Sequence, residues 1–206
     1  MKKYVVELLG TFFLVFTVGN TVIGQGAGAL APLAIGLSLM VMIFAGGHIS
    51  GGHFNPAVTL AVWWRGKCDT KDVVPYIASQ IIGAVAAAFI VIYLQGAKGT
   101  PVDRNIGPAF VAELLGTLAL AWVVLNVATT KANANNSFYG LAIGMTVTAM
   151  AFALGPVSGA AFNPAVAIGA TAMGLIKGGS LWIYLVACSL GGLTAGQLFK
   201  SLKADE

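Results

Sequence analysis

The chain has 206 residues, of which 58% are apolar and 9% are charged, with a formal net charge of +4 at pH 7 and a mean hydropathy of +0.88. A soluble domain normally carries about 25% charged residues, so this composition excludes one. The basic residues are scattered singly along the chain, which argues against a nucleic-acid partner. The composition indicates an integral membrane protein in contact with the lipid bilayer.

Long apolar runs predict six membrane-spanning helices, because a bilayer core of about 30 Å needs about 20 helical residues. In chain order these runs cover residues 4–23, 31–47, 73–95, 107–129, 138–155 and 180–200. Two further apolar stretches, 54–64 and 162–173, are too short to cross the bilayer and follow glycine-rich segments. The predicted fold class is therefore an all-α membrane protein with six transmembrane helices and two re-entrant half-helices.

The lysine and arginine residues are unequally divided between the two sides of the membrane. With six spans, both termini lie on one side. That side holds Lys2, Lys3, Arg65, Lys67, Lys71, Lys131, Lys200 and Lys203, whereas the other side holds Lys98, Arg104 and Lys177. Because cytoplasmic loops carry the excess of Lys and Arg, we expect a multi-pass protein of the cell membrane with both termini in the cytoplasm.

An internal repeat relates residues 1–100 to residues 107–206 within one predicted domain, residues 1–206. The pentapeptide that begins at Glu7 recurs at Glu113, and residues 33–57 align with residues 141–165 with more than half of the pairs identical. Each copy has an odd number of spans, so the second copy is inverted and the half-helices enter from opposite sides. The recurrence also argues against a cleaved signal peptide, which Lys2, Lys3 and Ala27-Gly28-Ala29 would otherwise suggest.

Each half-helix begins at an Asn-Pro-Ala box. The boxes are Asn55, Pro56 and Ala57 in the first copy and Asn163, Pro164 and Ala165 in the second. Asn is a favoured N-cap and Pro is favoured at the first helical position, so we expect each asparagine to cap its half-helix. The glycine-rich runs 46–53 and 155–161 are expected to be non-helical, and such backbone is tolerated at membrane depth where it lines a watery cavity.

These parts together predict a pore at the bilayer midplane. Two positive helix ends and two Asn amides would meet there and repel cations and protons, whereas a neutral solute would pass. Besides the boxes, we expect the pore lining to include His48, Gly51, Gly52, His53, Gly159 and Ala161.

The runs 47–59 and 158–165 resemble the signatures of the aquaporin/major intrinsic protein family, and the resemblance covers almost the whole chain. It implies a right-handed barrel of six helices with two half-helices, one pore per subunit and a homotetramer. It also implies passive conduction of water or small uncharged solutes.

The outer constriction departs from the pattern of that family. Most members have Arg directly after the second box, and here the position is Val166. Carried across by their spacing from the boxes, the other three constriction positions are Ile35, Ala151 and Ala160. Four apolar residues, two of them alanines, predict a wide selectivity filter that admits glycerol, urea or ammonia as well as water.

Two acidic residues, Glu7 and Glu113, occupy equivalent positions inside spans, where a charge is costly. They could relay protons in a proton-coupled secondary transporter of a small solute, or they could accept hydrogen bonds from the adjacent re-entrant loop. We favour loop support, and with it a passive channel, because the re-entrant loops of both copies would need the same hydrogen-bond acceptor.

We expect no metal or cofactor, because His48 and His53 have no third ligand nearby. His48 could instead gate the pore in response to pH. No nucleophile–base pair is evident in the sequence, so we do not expect an enzyme.

Overall fold

The structure is a computed structural model, and it describes residues 1–202. Over this range the chain forms eight α-helices and no strand: α1 (Lys2–Val22), α2 (Ala31–Ser50), α3 (Pro56–Trp64), α4 (Thr70–Gln95), α5 (Ile106–Thr129), α6 (Tyr139–Ser158), α7 (Pro164–Ala172) and α8 (Leu181–Ser201). As predicted, six helices are long and apolar enough to cross a membrane, and α3 and α7 have only nine residues each. Lys203, which enters the charge count above, lies outside the described residues.

Helices α2 and α6 continue past their predicted ends, as far as Ser50 and Ser158. The prediction that residues 46–53 and 155–161 leave the helix is therefore wrong for much of their length, and within these runs only residues 51–53 and 159–161 are non-helical. Each helix ends at a glycine, Gly51 or Gly159, with φ of +89° or +93°. A left-handed glycine is a favourable helix stop, and the glycines before it are tolerated inside the packed bundle.

The two copies of the repeat pack with each other instead of forming separate lobes. Helix α1 packs against α2 and α4, and α5 packs against α6 and α8 in the same manner. Helices α2 and α6 cross at Gly36 and Gly144, where a Cβ on either glycine would lie 2.5 Å from the carbonyl oxygen of the other. Half-helix α3 packs mainly against α8, and α7 mainly against α4, so each half-helix is held by the other copy.

The outer surface of the bundle is apolar, whereas several polar side chains are buried inside it. Exposed apolar side chains on the long helices include Val5, Phe13, Val41, Phe44, Phe89, Val111, Leu141 and Leu190. Glu7 and Glu113 have no exposed surface at all. Apolar side chains that face outward over the length of the spans suit contact with lipid tails, and the chain is a multi-pass membrane protein.

The loops form two groups at opposite ends of the bundle. On what we call the terminal side, Lys3 donates to Asp72 at 2.5 Å and Arg65 Nε donates to the Thr129 hydroxyl at 3.3 Å. On the far side, the Gly99 N–H donates to the carbonyl of Met173 at 2.9 Å. On the terminal side, these contacts join the chain start to α4 and the end of α3 to the end of α5. On the far side, they join loop 96–105 to the end of α7.

Candidate functional site

Asn55 and Asn163 are the N-caps of α3 and α7, as predicted. Both have extended backbone, and each is followed by a proline at the first helical position. Asn55 Oδ1 accepts the Ala57 N–H at 2.9 Å, and Asn163 Oδ1 accepts the Ala165 N–H at 2.9 Å. Because proline has no N–H, the amide oxygen satisfies the first free donor of each short helix.

The amide nitrogens of the same two side chains join the copies to each other. Asn55 Nδ2 donates to the carbonyl of Phe162 at 2.9 Å, and Asn163 Nδ2 donates to the carbonyl of Phe54 at 2.8 Å. These reciprocal bonds hold the N-termini of α3 and α7 together inside the bundle. An Asn amide has two N–H donors, so one hydrogen of each side chain is left for a solute.

A phenylalanine precedes each asparagine and is packed against a glycine of a long helix. Phe54 and Phe162 are buried, and both have φ of +48°. Their rings occupy the space beside Gly10 and Gly116, where a Cβ atom on either glycine would overlap the ring. A left-handed backbone is strained for a bulky residue, and this packing helps to hold it.

A buried glutamate holds each non-helical loop. Glu7 accepts hydrogen bonds from the Ser50 hydroxyl at 2.7 Å and from two backbone N–H groups of its loop at 3.0 and 2.6 Å. Glu113 accepts the equivalent three bonds in the second copy, at 2.6, 3.0 and 2.7 Å. Neither carboxylate is among the residues that line the two cavities described next.

A first cavity of about 240 Å³ extends from the far-side loops to the two asparagines. Its lining brings together the four predicted constriction residues, which are Ile35, Ala151, Ala160 and Val166. The predicted pore-lining residues Gly52, His53, Gly159 and Ala161 also lie on its wall. Asn55 and Asn163 reach this wall with about 3% of their surface exposed, so both amides can meet a solute inside the cavity.

A second cavity of about 540 Å³ lies on the terminal side and is bordered by polar residues that include Lys3, Lys67 and Asp72. His53 and Val124 line both cavities. These two residues therefore lie between the first cavity and the second.

Some predicted site residues lie away from this path. His48 is an exposed residue in the last turn of α2 and is in the lining of neither cavity, because α2 stays helical through Ser50 and keeps position 48 on its outer surface. Gly51 lines only the second cavity. The remaining box residues are buried behind the wall and support it: Pro56, Ala57, Pro164 and Ala165.

A polar network in the first copy was not predicted from the sequence. Gln80 Nε2 donates to Glu7 at 2.8 Å and to the Thr59 hydroxyl at 3.0 Å. His53 Nδ1 lies 3.1 Å from the same hydroxyl. A glutamine inside a predicted span was a signal for such a network, since buried polar side chains need partners.

Two tyrosines were also missed. Tyr76 donates to the carbonyl of Ser50 at 2.7 Å, and Tyr184 donates to the carbonyl of Ser158 at 2.5 Å. Both tyrosines recur at equivalent places in the repeat, so extending the self-alignment beyond the boxes would have found them.

The sequence model of the Major intrinsic protein family matches residues 1–199. The chain belongs to this family. It is 38% identical to the Glycerol uptake facilitator protein-like 6 of Lactiplantibacillus plantarum, with 95% of each chain covered. It is 34% identical to the Aquaporin Z of Rhodopseudomonas palustris, with 99% of this chain and 94% of the other covered.

A solved structure shares the fold of this major intrinsic protein. The aquaglyceroporin from Plasmodium falciparum superposes with a TM-score of 0.83 over 98% of this chain and 96% of the other, at 23% sequence identity. The fold class is thus confirmed, and the family assignment makes the chain a membrane channel and not an enzyme.

Proposed function

We propose that this major intrinsic protein is a passive channel for water and for small uncharged solutes such as glycerol, urea or ammonia. The observation that carries the proposal is the junction of Asn55 and Asn163 on the wall of the first cavity, with the second cavity on the opposite side of His53 and Val124. Each half-helix N-terminus carries about half a positive elementary charge. A cation or migrating proton is repelled at this junction, while a neutral solute accepts a hydrogen bond from the free amide hydrogens.

In this proposal Ile35, Ala151, Ala160 and Val166 form the outer filter. Their side chains offer no hydrogen-bond donor or acceptor. A narrow apolar ring would deprive water of hydrogen bonds, at a cost of about 1 to 3 kcal/mol for each bond left unmet. The small alanine side chains favour a wider opening, in which water keeps its neighbours and larger neutral solutes fit.

The loop residues Gly52, His53, Gly159 and Ala161 continue the proposed path past the filter and the asparagines. We assign Glu7 and Glu113 to loop support. Each carboxylate is occupied by three hydrogen bonds from its own loop and is separated from both cavities, which leaves the proton-coupled transporter without a relay.

We further propose one channel domain per chain and a homotetramer in the cell membrane, with both termini in the cytoplasm. Family membership supports the assembly, and the excess of Lys and Arg on the terminal side supports the orientation. Chemical crosslinking in native membranes tests the oligomer, and a tag on the C-terminus that proteases reach only after permeabilisation tests the orientation.

Stopped-flow light scattering on proteoliposomes tests the permeation proposal. We expect water efflux in a sucrose gradient and influx of glycerol and urea, each faster than in empty liposomes and independent of any ion gradient. Water flux with complete exclusion of glycerol and urea would overturn the wide filter. The absence of all three fluxes would overturn the channel, and saturable flux that needs an ion gradient would indicate a transporter.

A matched pair of variants locates the filter. Ala151→Phe places a ring on the wall of the first cavity and is expected to reduce glycerol and urea influx more than water efflux. Leu141→Phe places the same ring on the exposed surface of the same helix and is expected to leave the fluxes unchanged. Equal effects of the two variants would contradict the assignment of Ala151.

A further inference from the structure

Arg104 reaches from loop 96–105 into the mouth of the first cavity. Its Nη1 donates to the carbonyl of Pro156 at 2.9 Å. A Cβ atom built on Gly159 would lie 3.4 Å from Arg104 Nε and 3.6 Å from Nη2. The guanidinium group therefore lies beside Gly159, at a distance where a Cβ atom would be in van der Waals contact with it.

The guanidinium group of Arg104 binds at the C-terminal end of helix α6. Pro156 lies in the last turn, where carbonyl groups lack intrahelical partners. The Ala160 N–H would be its partner in a longer helix, but it donates to the Ser158 hydroxyl at 3.0 Å. Arg104 thus satisfies an unpaired carbonyl at the negative end of a helix dipole, a favourable place for a cation.

Two neighbouring contacts fix the loop that carries Arg104. The Gly99 N–H donates to the carbonyl of Met173 at 2.9 Å, and Asp103 forms an ion pair with Lys177. Asp103, the carboxylate next to Arg104 in sequence, is therefore paired with Lys177 and not with Arg104. Among residues 1–202, the ion pairs are Lys3–Asp72, Lys71–Asp69 and Lys177–Asp103, and none of them neutralises Arg104.

Arg104 is also distinct in charge from the rest of the wall. Among the described residues that line the first cavity there is no Asp, Glu or Lys, and no second Arg. We propose that Arg104 is a specificity-determining residue of the channel, whose fixed positive charge excludes cationic solutes at the mouth while neutral solutes enter. A guanidinium has five N–H donors, so those not used on Pro156 can bind a carbonyl or hydroxyl oxygen of an arriving solute. This inference deepens the proposed function and rests on it.

Urea and guanidinium provide a matched pair of probes, because both are small and planar and they differ mainly in charge. We expect guanidinium chloride, present at equal millimolar concentration on both sides of proteoliposomes, to leave urea and water fluxes through the native protein unchanged. In Arg104→Gln, which keeps an N–H donor but has no charge, guanidinium enters the first cavity and blocks it. The half-blocking concentration should fall by about tenfold or more.

Two control variants separate the charge at this place from charge in general. Lys98→Gln removes the same charge from an exposed position of the same loop, and this variant should resemble the native protein. Arg104→Lys keeps the charge and should also resist block. The double variant Arg104→Gln with Val166→Arg returns a guanidinium group to the wall of the first cavity and should restore resistance.

The outcomes distinguish the inference from the function on which it rests. If urea and water fluxes are present and Arg104→Gln is no more sensitive than Lys98→Gln, the inference is overturned and the channel stands. If the native protein carries neither flux, the proposed function fails instead. Sensitivity of Lys98→Gln equal to that of Arg104→Gln would assign the effect to surface charge and would also overturn the inference.

Discussion

The loop before α3 and the loop before α7 are built on the same contacts but carry different side chains around them. Each has a buried glutamate, a serine at the helix end, a left-handed phenylalanine and a tyrosine that donates to the serine carbonyl. One group of side chains around the loops differs: His53, Thr59 and Gln80 form a polar network in the first copy, and Ala161, Ala167 and Cys188 stand at the equivalent positions of the second.

The contacts that both copies share hold the loops in place, whereas the residues that differ lie around the proposed path. The shared contacts satisfy loop N–H groups that would otherwise be buried without partners, so both copies need them. The polar network adds partners around one side chain, His53, which lines both cavities. We infer that the shared contacts carry the stability of the loops and that the differing residues make the two ends of the path chemically unequal.

The largest expected effect follows from removing one of the two buried glutamates that hold the loops. Glu113→Leu removes the acceptor of the Ser158 hydroxyl, of two loop N–H groups and of the weakly donating Cys188 thiol. At about 1 to 3 kcal/mol for each of the first three donors, the free energy of unfolding should fall by about 3 to 9 kcal/mol. Glu7→Leu should lose at least as much, because its fourth donor is the Gln80 amide, which is a stronger donor than the Cys188 thiol. Unfolding in mixed detergent micelles measures both variants. Asp103→Leu is the control, because its ion pair with Lys177 is exposed to solvent and should contribute little to stability. A small loss of unfolding free energy in only one of the two variants would contradict the equivalence of the two glutamates.

The next effect concerns the junction that both copies build. Asn55→Asp or Asn163→Asp replaces an amide donor by a carboxylate and places negative charge where the two helix ends meet. We expect proton leak through either variant to rise by about tenfold or more over that of the native protein. A pH-sensitive dye inside proteoliposomes measures the leak. Native leak as large as that of the variants would show that the junction is not the proton barrier.

A smaller effect is expected from the paired glycines that face the phenylalanine rings. Gly10→Ala and Gly116→Ala each force a methyl group into a ring and should lower the free energy of unfolding by about 1 to 3 kcal/mol. Gly107→Ala at the start of α5 meets open space, so it is the control and should not destabilise the protein. The same unfolding assay applies, and unequal losses at Gly10 and Gly116 would contradict the equivalence of the two loops.

The smallest effect is expected from the network that only the first copy has. Thr59→Ala removes a hydroxyl that accepts from Gln80 and contacts His53, and it should cost about 1 to 2 kcal/mol. Thr171→Ala on α7, whose hydroxyl bonds only the carbonyl one turn earlier, is the control and should cost less. A loss from Thr59→Ala as large as that from Glu7→Leu would place the network among the contacts that the fold requires.

Much of the fold could be predicted because it depends on properties that are local in sequence. The six spans follow from the length of apolar runs, and the two N-caps follow from the intrinsic preferences of Asn and Pro. The ends of α2 and α6 were misplaced, because the penalty for glycine in a helix was applied without the packing around it. The same error put His48 on the expected pore wall, although the continued helix turns it outward.

The sequence by itself determined that the chain crosses a membrane, that its two copies are inverted and that two short helices begin at asparagines. Only the tertiary structure decided which atoms those asparagines bind, because the carbonyl partner of Asn55 belongs to Phe162 in the other copy. It also decided that Arg104, which lies in a loop without a recognisable sequence pattern, donates to the Pro156 carbonyl at the end of α6. Hydropathy and capping act between neighbours in the chain, whereas these contacts exist only once distant helices have packed.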